Sequence, residues 1–257
     1  MLKANKPVVL WVDSFNGHFE PGNALAAFRV LQAAGYSVHI ASKHALGHGA
    51  NQGHLCCGRT YLASGMVDRA KAKAQELIEA LLPFAQQGIA IVGLEPSCLY
   101  TLRDEALAMG LGPDAHTVAE HALMWEEFLA REAQSQRLDA LKARLQHTLQ
   151  PIAVHGHCHQ KAFGGMDDLL TCIRLIPGAQ PKIIETSCCG MAGAFGYEQE
   201  HHAASMQMAE LSLLPAVRNA SDAIIVADGT SCRHQIWDGA QRPAIHVAQL
   251  LSDQLKN

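Results

Sequence analysis

The sequence predicts an α/β protein built as two related lobes, each with a mainly parallel sheet flanked by helices. Three observations carry this expectation. Short apolar, β-rich runs alternate with helical segments along the whole chain. A cysteine doublet followed by glycine occurs twice, as Cys56-Cys57-Gly58 and as Cys188-Cys189-Gly190. Each doublet is followed at a similar spacing by a lone cysteine, Cys98 or Cys232, and a matching apolar run (89–93 or 223–227) leads into it. A thiol unit that recurs with its flanking strand marks a duplicated module.

Residues 8–12 are apolar and end at Asp13, the pattern of a buried parallel strand. A helix is expected over about 24–34, stopped by Gly35, then a strand at 37–41 and a Gly/His-rich loop carrying Cys56 and Cys57. A long helix over 67–87 closes at Gly88, and the strand 89–93 ends at the Cys98 loop. Residues 117–147 read as amphipathic helix with a charged face, a connecting hairpin. The second half opens with a strand at 151–155, the loop His157-Cys158-His159-Gln160 and a helix near 168–176. A strand at 182–185 delivers Cys188 and Cys189, and a helix spans about 199–219. The strand 223–227 delivers Cys232, and a short strand near 244–246 and a terminal helix complete the half. The expected organisation is therefore a first lobe (1–112), a helical connector (113–149) and a second lobe (150–257).

The 257 residues can bury a full core without staples. A net charge of −4 without a Lys/Arg run argues against nucleic acid as a partner. No stretch of 18 uncharged apolar residues is present, so no spanning helix is expected. The N-terminal residues show no signal-peptide core, which points to a reducing, cytoplasmic setting. There the eight cysteines read as metal ligands or catalytic groups rather than disulfides.

Cys158, Cys188, Cys189 and Cys232 come from three separate loops, and four converging thiolates suit either an iron–sulfur cluster or zinc. Zinc usually shows two short Cys-x2–4-Cys arms, which are missing from this set. Adjacent side chains diverge, so a doublet reaches different irons of a cluster more naturally than one small ion. In the first half Cys56, Cys57 and Cys98 form the equivalent set, but the loop matching Cys158 offers Ser14 and His18 instead. It is either a weaker metal site or a vestigial one. Cys172 reads as a small core hydrophobe on a helix. His157 and His159 are open between ligand or proton-steering roles and plain loop hydrogen bonding, while His201 and His202 suit an exposed helix start. The glycine-rich stretch 190–196 matches neither a P-loop nor a dinucleotide fingerprint and reads as close backbone packing. Arg59 and Arg233 either offset cluster charge or lie on the surface. Glu95 and Asp228, near the ends of matching strands, are candidate spare ligands or supports of the ligands.

At these residues the chain resembles the cysteine-rich CCG domain family. That family includes the B subunit of heterodisulfide reductase, the iron–sulfur subunit of glycolate oxidase and the small subunit of anaerobic glycerol-3-phosphate dehydrogenase. There is particular likeness to the C-terminal region of FAD-linked, iron–sulfur D-2-hydroxyacid dehydrogenases. The segments that carry it are 11–16, 55–60, 93–98, 155–161, 187–193 and 228–234. The family pattern is a lone cysteine, a doublet and a Cys-x-x-Cys, given twice; in heterodisulfide reductase such sets hold non-cubane four-iron clusters. By this resemblance Cys158, Cys188, Cys189 and Cys232 match the second set, and Cys56, Cys57 and Cys98 the first. Ser14 stands where a lone cysteine belongs, and Glu95 and Gly229 replace the leading members of the Cys-x-x-Cys pairs. A five-thiolate cluster is therefore not implied, and an ordinary 4Fe-4S cluster on four cysteines of the second lobe is.

Relatives pair this domain with ferredoxin-like and flavin-binding regions. The chain shows neither a Cys-x2-Cys-x2-Cys-x3-Cys-Pro run nor a flavin pattern. The resemblance thus implies a fragment or subunit of a larger oxidoreductase, with FAD on a partner. The expected role is electron transfer in a glycolate-, D-lactate- or D-2-hydroxyglutarate-type dehydrogenase, with no catalytic acid or base in this chain. It would lie in the cytoplasm or be held at the inner membrane face through partners. The alternatives are a zinc-binding structural or docking module and thiol–disulfide catalysis of the heterodisulfide reductase kind.

Overall fold

The computed structural model describes residues 6–42 and 54–256. In the first half the elements are β1 (Lys6–Leu10), α1 (Ser14–His18), α2 (Pro21–Ala33), β2 (Tyr36–Ile40), α3 (Arg59–Ala63), α4 (Val67–Ala85), β3 (Ile91–Gly93) and α5 (Pro96–Arg103). They continue through α6 (Glu105–Ala108), α7 (Pro113–His121), β4 (Ala122–Met124), α8 (Trp125–Gln134) and α9 (Asp139–Lys142). The second half holds β5 (Ile152–His155), α10 (Cys158–Ala162), α11 (Met166–Ile173), β6 (Pro181–Ile183), a 3-10 turn (Phe195–Tyr197) and α12 (His202–Glu210). It ends with α13 (Leu213–Asn219), β7 (Ile224–Ala227), α14 (Thr230–Ala240), β8 (Ala244–Ile245) and α15 (Val247–Asp253).

Two four-stranded sheets form, ordered β2-β1-β3-β4 and β6-β5-β7-β8. Every pairing is parallel, and the strand order is the same in both. The expected α/β architecture of two related lobes is what the chain adopts.

Strand periodicity explains how the lobes join. Val8 and Leu10 of β1 and Ile152 and Val154 of β5 point into one shared core, while Val9 and Ala153 face separate clusters on the far sides. The shared core also takes Leu31 of α2, Trp125 and Leu129 of α8, Leu169 and Ile173 of α11 and Leu251 of α15. In it α2 packs against α15, and α8 against α11.

Two expectations need correction. Residues 117–147 are not helical throughout, because 122–124 form β4, paired parallel to β3 with Ile91 opposite Ala122. Its three residues are buried on both faces and sit between two helices, so no alternation reveals the strand. The helix expected over 199–219 is two helices, α12 and α13. Pro215 lies in the first turn of α13, where its ring crowds the carbonyl of Leu211 and its missing N–H cannot continue the ladder. The strand and helix ends shift by a few residues elsewhere; α2, for example, starts at Pro21, a favoured first helical position. Among the described residues no helix is long and apolar enough to cross a membrane.

Polar side chains also tie the lobes together. Arg233, buried on α14, pairs with Glu20 just ahead of α2 and donates to the carbonyls of Ala227 and Asp228. Arg233→Met should therefore cost about 3 kcal/mol in chemical denaturation, because it strands a half-buried carboxylate and two carbonyls. Burial pushes the Glu20 carboxyl up, but the Arg233 bond and charge bring it below its usual 4.5. That contribution is present above the unfolded value and is lost as pH falls through the lowered folded one. The stability difference between wild type and variant should accordingly shrink in that acid window.

Candidate metal centre

Three neighbouring strands of the second sheet end beside one another, and each hands the chain to a cysteine. Past β5, Cys158 is the first residue of α10, whose cap His157 accepts from the His159 N–H at 3.2 Å through Nδ1. Past β6, the loop carries Cys188 and Cys189. Past β7, Cys232 sits in the first turn of α14.

These four thiols form a row. Cys158 lies within side-chain hydrogen-bonding reach of Cys188, Cys188 of Cys189, and Cys189 of Cys232. The His155 imidazole closes the row at Cys232. Backbone N–H groups also face sulfur, with Gly190 N donating to Cys188 Sγ at 3.3 Å and Met191 N to Cys189. Cys189 and Cys232 are buried, Cys188 is half-buried and Cys158 is exposed.

The first lobe repeats the row with one sulfur fewer. Ser14, the first residue of α1, lies within side-chain hydrogen-bonding reach of Cys56, Cys56 of Cys57, and Cys57 of Cys98 in the first turn of α5. Gly58 N and Arg59 N donate to Cys56 Sγ and Cys57 Sγ, each at 3.4 Å. The structure thus gathers all seven candidate cysteines into two matching rows. Among the described residues no group of three or more His, Cys, Asp or Glu side chains is placed so that it could hold a single metal ion.

The glycine after each doublet has a physical reason. Gly58 has φ +84° and Gly190 φ +90°, and a Cβ at either would collide with a carbonyl oxygen of the helix beneath, Ala70 of α4 or Ser205 of α12.

The two rows differ in charge. The Cys158 and Cys189 thiols both donate to Cys188 and hold it down at about 2, helped by the Gly190 N–H and His157. Cys158 and Cys189 are pushed up in return. The Cys189 bond also holds Cys232 well below the ordinary thiol range against its burial, with His155 and His157 assisting. In the first lobe every thiol is raised. The bond to Cys57 and burial raise Cys56. Cys57 gains from the Cys56 bond, yet its own bond to Cys98 and its burial carry it well up. The Cys57 bond lowers Cys98, but burial and the Asp13 and Glu95 carboxylates carry it up to about 11. Asp13, which caps α1, adds to the rise at Cys98, where His157, which caps α10, assists the fall at Cys188 and Cys232.

The remaining candidates are occupied elsewhere. Arg59 pairs with Glu105, and Arg233, far from being a surface residue, is spent on Glu20 and carbonyls. Glu95 accepts from Thr230 N at 2.9 Å across the lobe boundary and from Ser97 Oγ. Asp228 accepts from Gln160 Nε2 at 2.8 Å and from Val247 N at 3.0 Å. Both carboxylates brace loops. Cys172 is fully buried in the shared core. The glycine at 196 abuts Met191 and Ser205, as close packing requires.

Sequence reasoning missed Gln160 and Glu126. The Gln160 amide donates to Glu126 Oε1 at 2.7 Å as well as to Asp228, and its carbonyl accepts from His157 N, so one side chain joins α8, α10 and the end of β7. Burial and the Asp228 charge push Glu126 well above the carboxylate range. The one available signal was Gln160 standing three residues after the helix cap.

Gly190→Ala should lower stability by more than about 2 kcal/mol in urea titration, through its left-handed backbone and the collision with Ser205. A loss under about 1 kcal/mol would show that the doublet loop is free to move.

A family model described as a cysteine-rich domain, CCG, matches residues 20–103 and 152–237, one stretch in each lobe. The C subunit of anaerobic glycerol-3-phosphate dehydrogenase from Escherichia coli (strain K12) is 26% identical over 230 residues, covering 88% of this chain and 54% of that protein. D-2-hydroxyglutarate dehydrogenase of the same strain is 27% identical over 201 residues, 77% of this chain and 19% of its own length. The D-2-hydroxyglutarate dehydrogenase of Haemophilus influenzae (strain ATCC 51907 / DSM 11121 / KW20 / Rd) is 26% identical over 206 residues, with the same shares. The chain thus spans about half the length of the first of these relatives and about a fifth of the other two. The matched stretches take in both doublets and both lone cysteines that follow them, and the chain belongs to the cysteine-rich CCG domain family.

Proposed function

We propose that this chain is the electron-transfer domain or subunit of a FAD-linked 2-hydroxyacid dehydrogenase, with an iron–sulfur cluster of the four-iron type on Cys158, Cys188, Cys189 and Cys232. The observation that carries the reading is the row of four thiols that three parallel strand ends bring together in the second lobe. The donor set fits the group: four soft sulfurs, two of them acidified, with backbone N–H groups aimed at sulfur. The set lacks the two short Cys-x2–4-Cys arms usual for zinc, and the adjacent pair Cys188 and Cys189 reaches different irons of a cluster more naturally than one small ion.

A cluster bound there supplies reversible one-electron reduction. The chain's own residues hold the sulfurs, bury Cys189 and Cys232 away from water, and offset thiolate charge with N–H groups and imidazoles. Cys56, Cys57 and Cys98, with one sulfur fewer and no acidified thiol, make the lesser site. Substrate oxidation falls to a flavin-bearing partner domain or subunit, joined through a ferredoxin-like region. The names and greater lengths of the relatives support this division, since each is a dehydrogenase or a dehydrogenase subunit extending well beyond the shared region.

Anaerobically reconstituted full chain should contain iron and sulfide, absorb broadly in the visible and give an EPR signal on reduction. Cys188→Ser and Cys232→Ser should lose most of the iron, and Cys172→Ala should keep it. Protein that takes up stoichiometric zinc and no iron, or a holoenzyme indifferent to loss of both Cys188 and Cys189, would overturn the assignment.

A further inference from the structure

Three polar side chains from three elements meet in the interior. Glu126 of α8, Gln160 of α10 and Asp228 just past β7 are each 1% exposed or less. Gln160 Oε1 accepts from the His157 N–H at 3.1 Å, and that backbone group can only donate, so the amide NH2 faces the other way. There its nitrogen lies 2.7 Å from Glu126 Oε1 and 2.8 Å from Asp228 Oδ2. Two buried carboxyl groups thus flank a single neutral amide nitrogen.

No cation offsets them. Among the described residues no lysine or arginine pairs with either group. Arg233 spends its guanidinium on Glu20, Thr230 and the carbonyls of Ala227 and Asp228. Arg103 and Arg131 turn to Glu127. His246 Nε2 is 3.7 Å from Asp228 Oδ1, but the ring is neutral: its Nδ1 accepts from the Ala248 N–H while Nε2 donates to the Leu94 carbonyl. The other titratable groups around the pair are Glu127 on α8, Tyr100 on α5, and Asp168 and Cys172 on α11, none of them cationic.

The two carboxyl groups are not equivalent. Asp228 also accepts from the Val247 N–H at 3.0 Å, whereas Glu126 Oε2 is buried and has no hydrogen-bond partner. A dry site does not hold two such close like charges, and the charge stays on the group with more donors. Burial and the Asp228 charge accordingly push the Glu126 carboxyl well up.

We propose that Glu126 carries a proton in the folded chain, and that this proton is a pH-sensitive latch holding α8 against α10 and α11. With Glu126 neutral, one amide serves both carboxyl groups without repulsion. With Glu126 ionised, the same amide sits between two negative charges in a low-dielectric interior, and the docking of α8 loosens.

Glu126→Gln tests this, because glutamine keeps the acceptor for Gln160 and cannot ionise. The folded value is raised, so the stability that the protonated group contributes is complete below its ordinary 4.5 and is lost as pH rises through the folded value. In urea titrations of the full chain, wild type and variant should agree below 4.5. Above it the variant should gain on wild type, by up to about tenfold in the unfolding constant per pH unit. Infrared spectra at neutral pH should show a protonated carboxyl band that Glu126→Gln removes. Alkylation of Cys172, fully buried on α11, reads the latch itself. Located by mass spectrometry and corrected for thiol ionisation in denatured protein, it should accelerate with pH in wild type and much less in the variant. These readouts are independent of the metal centre. Should Glu126→Gln fail to fold, Glu126→Met, uncharged and of similar length, takes its place. A variant whose stability runs parallel to wild type across pH, or wild type without the infrared band, overturns the proton. Cys172 protection that is equal in both at every pH overturns the latch.

Discussion

Parallel pairing of β5 with both β6 and β7 is the constraint on which the sulfur row depends. Parallel neighbours end at the same edge of a sheet, with strands about 4.8 Å apart, so the loops that follow begin side by side. A cysteine placed just past each end meets the others without any long excursion of the chain. Helix starts then fix the outer members, Cys158 as the first residue of α10 and Cys232 in the first turn of α14. The doublet is set by Gly190, whose left-handed backbone lets the loop press onto α12. An antiparallel arrangement would send the Cys188 loop to the opposite edge.

The shared core makes the two rows parts of one body. Because alternate residues of β1 and β5 point into the same apolar volume, neither sheet buries its inner face without the other lobe. The polar bridges lie over that core and reach directly to the site. Glu95, three residues ahead of Cys98, accepts from the backbone of Thr230, two residues ahead of Cys232. Gln160, two residues past Cys158, holds Glu126 and Asp228 together. A shift of one lobe against the other would thus leave buried carboxylates without donors, which is costly in a low-dielectric interior. The geometry of each row is tied to the docking of both lobes.

How much of this was legible follows from what each feature depends on. The duplication and the seven grouped cysteines could be read because doublet, glycine, apolar run and lone cysteine lie close along the chain. The strand β4 could not, since three apolar residues between helices carry no period, and their pairing with β3 is a tertiary fact. The break between α12 and α13 was readable at Pro215 but was outweighed by the helical pattern around it. Glu126 was hidden for a different reason. On an amphipathic helix a charged residue is assigned to the solvent face, and the burial of Glu126 and its bond from Gln160 of α10 are tertiary facts. The roles of Arg233 and Asp228 were hidden in the same way, because their partners Glu20 and Gln160 lie far away in sequence.

The difference between the lobes shows how a duplicated fold separates geometry from chemistry. Both keep strand order, helix starts, the glycine after the doublet and the N–H groups aimed at sulfur. Three of the changes lie at or just past the ends of β1 and β5, where Trp11, Asp13 and Ser14 stand against His155, His157 and Cys158. None of the three alters the backbone path, since Asp13 and His157 both cap a helix, and Ser14 and Cys158 both open one. Together they exchange a carboxylate and an indole for two imidazoles, and a hydroxyl for a thiol. In the second row Cys188 and Cys232 are shifted down, whereas in the first every thiol is shifted up, chiefly through thiol–thiol bonding and burial, with Asp13 and Glu95 adding to this at Cys98. A scaffold that fixes sulfur positions by backbone leaves their charge to be set by the side chains and burial around them.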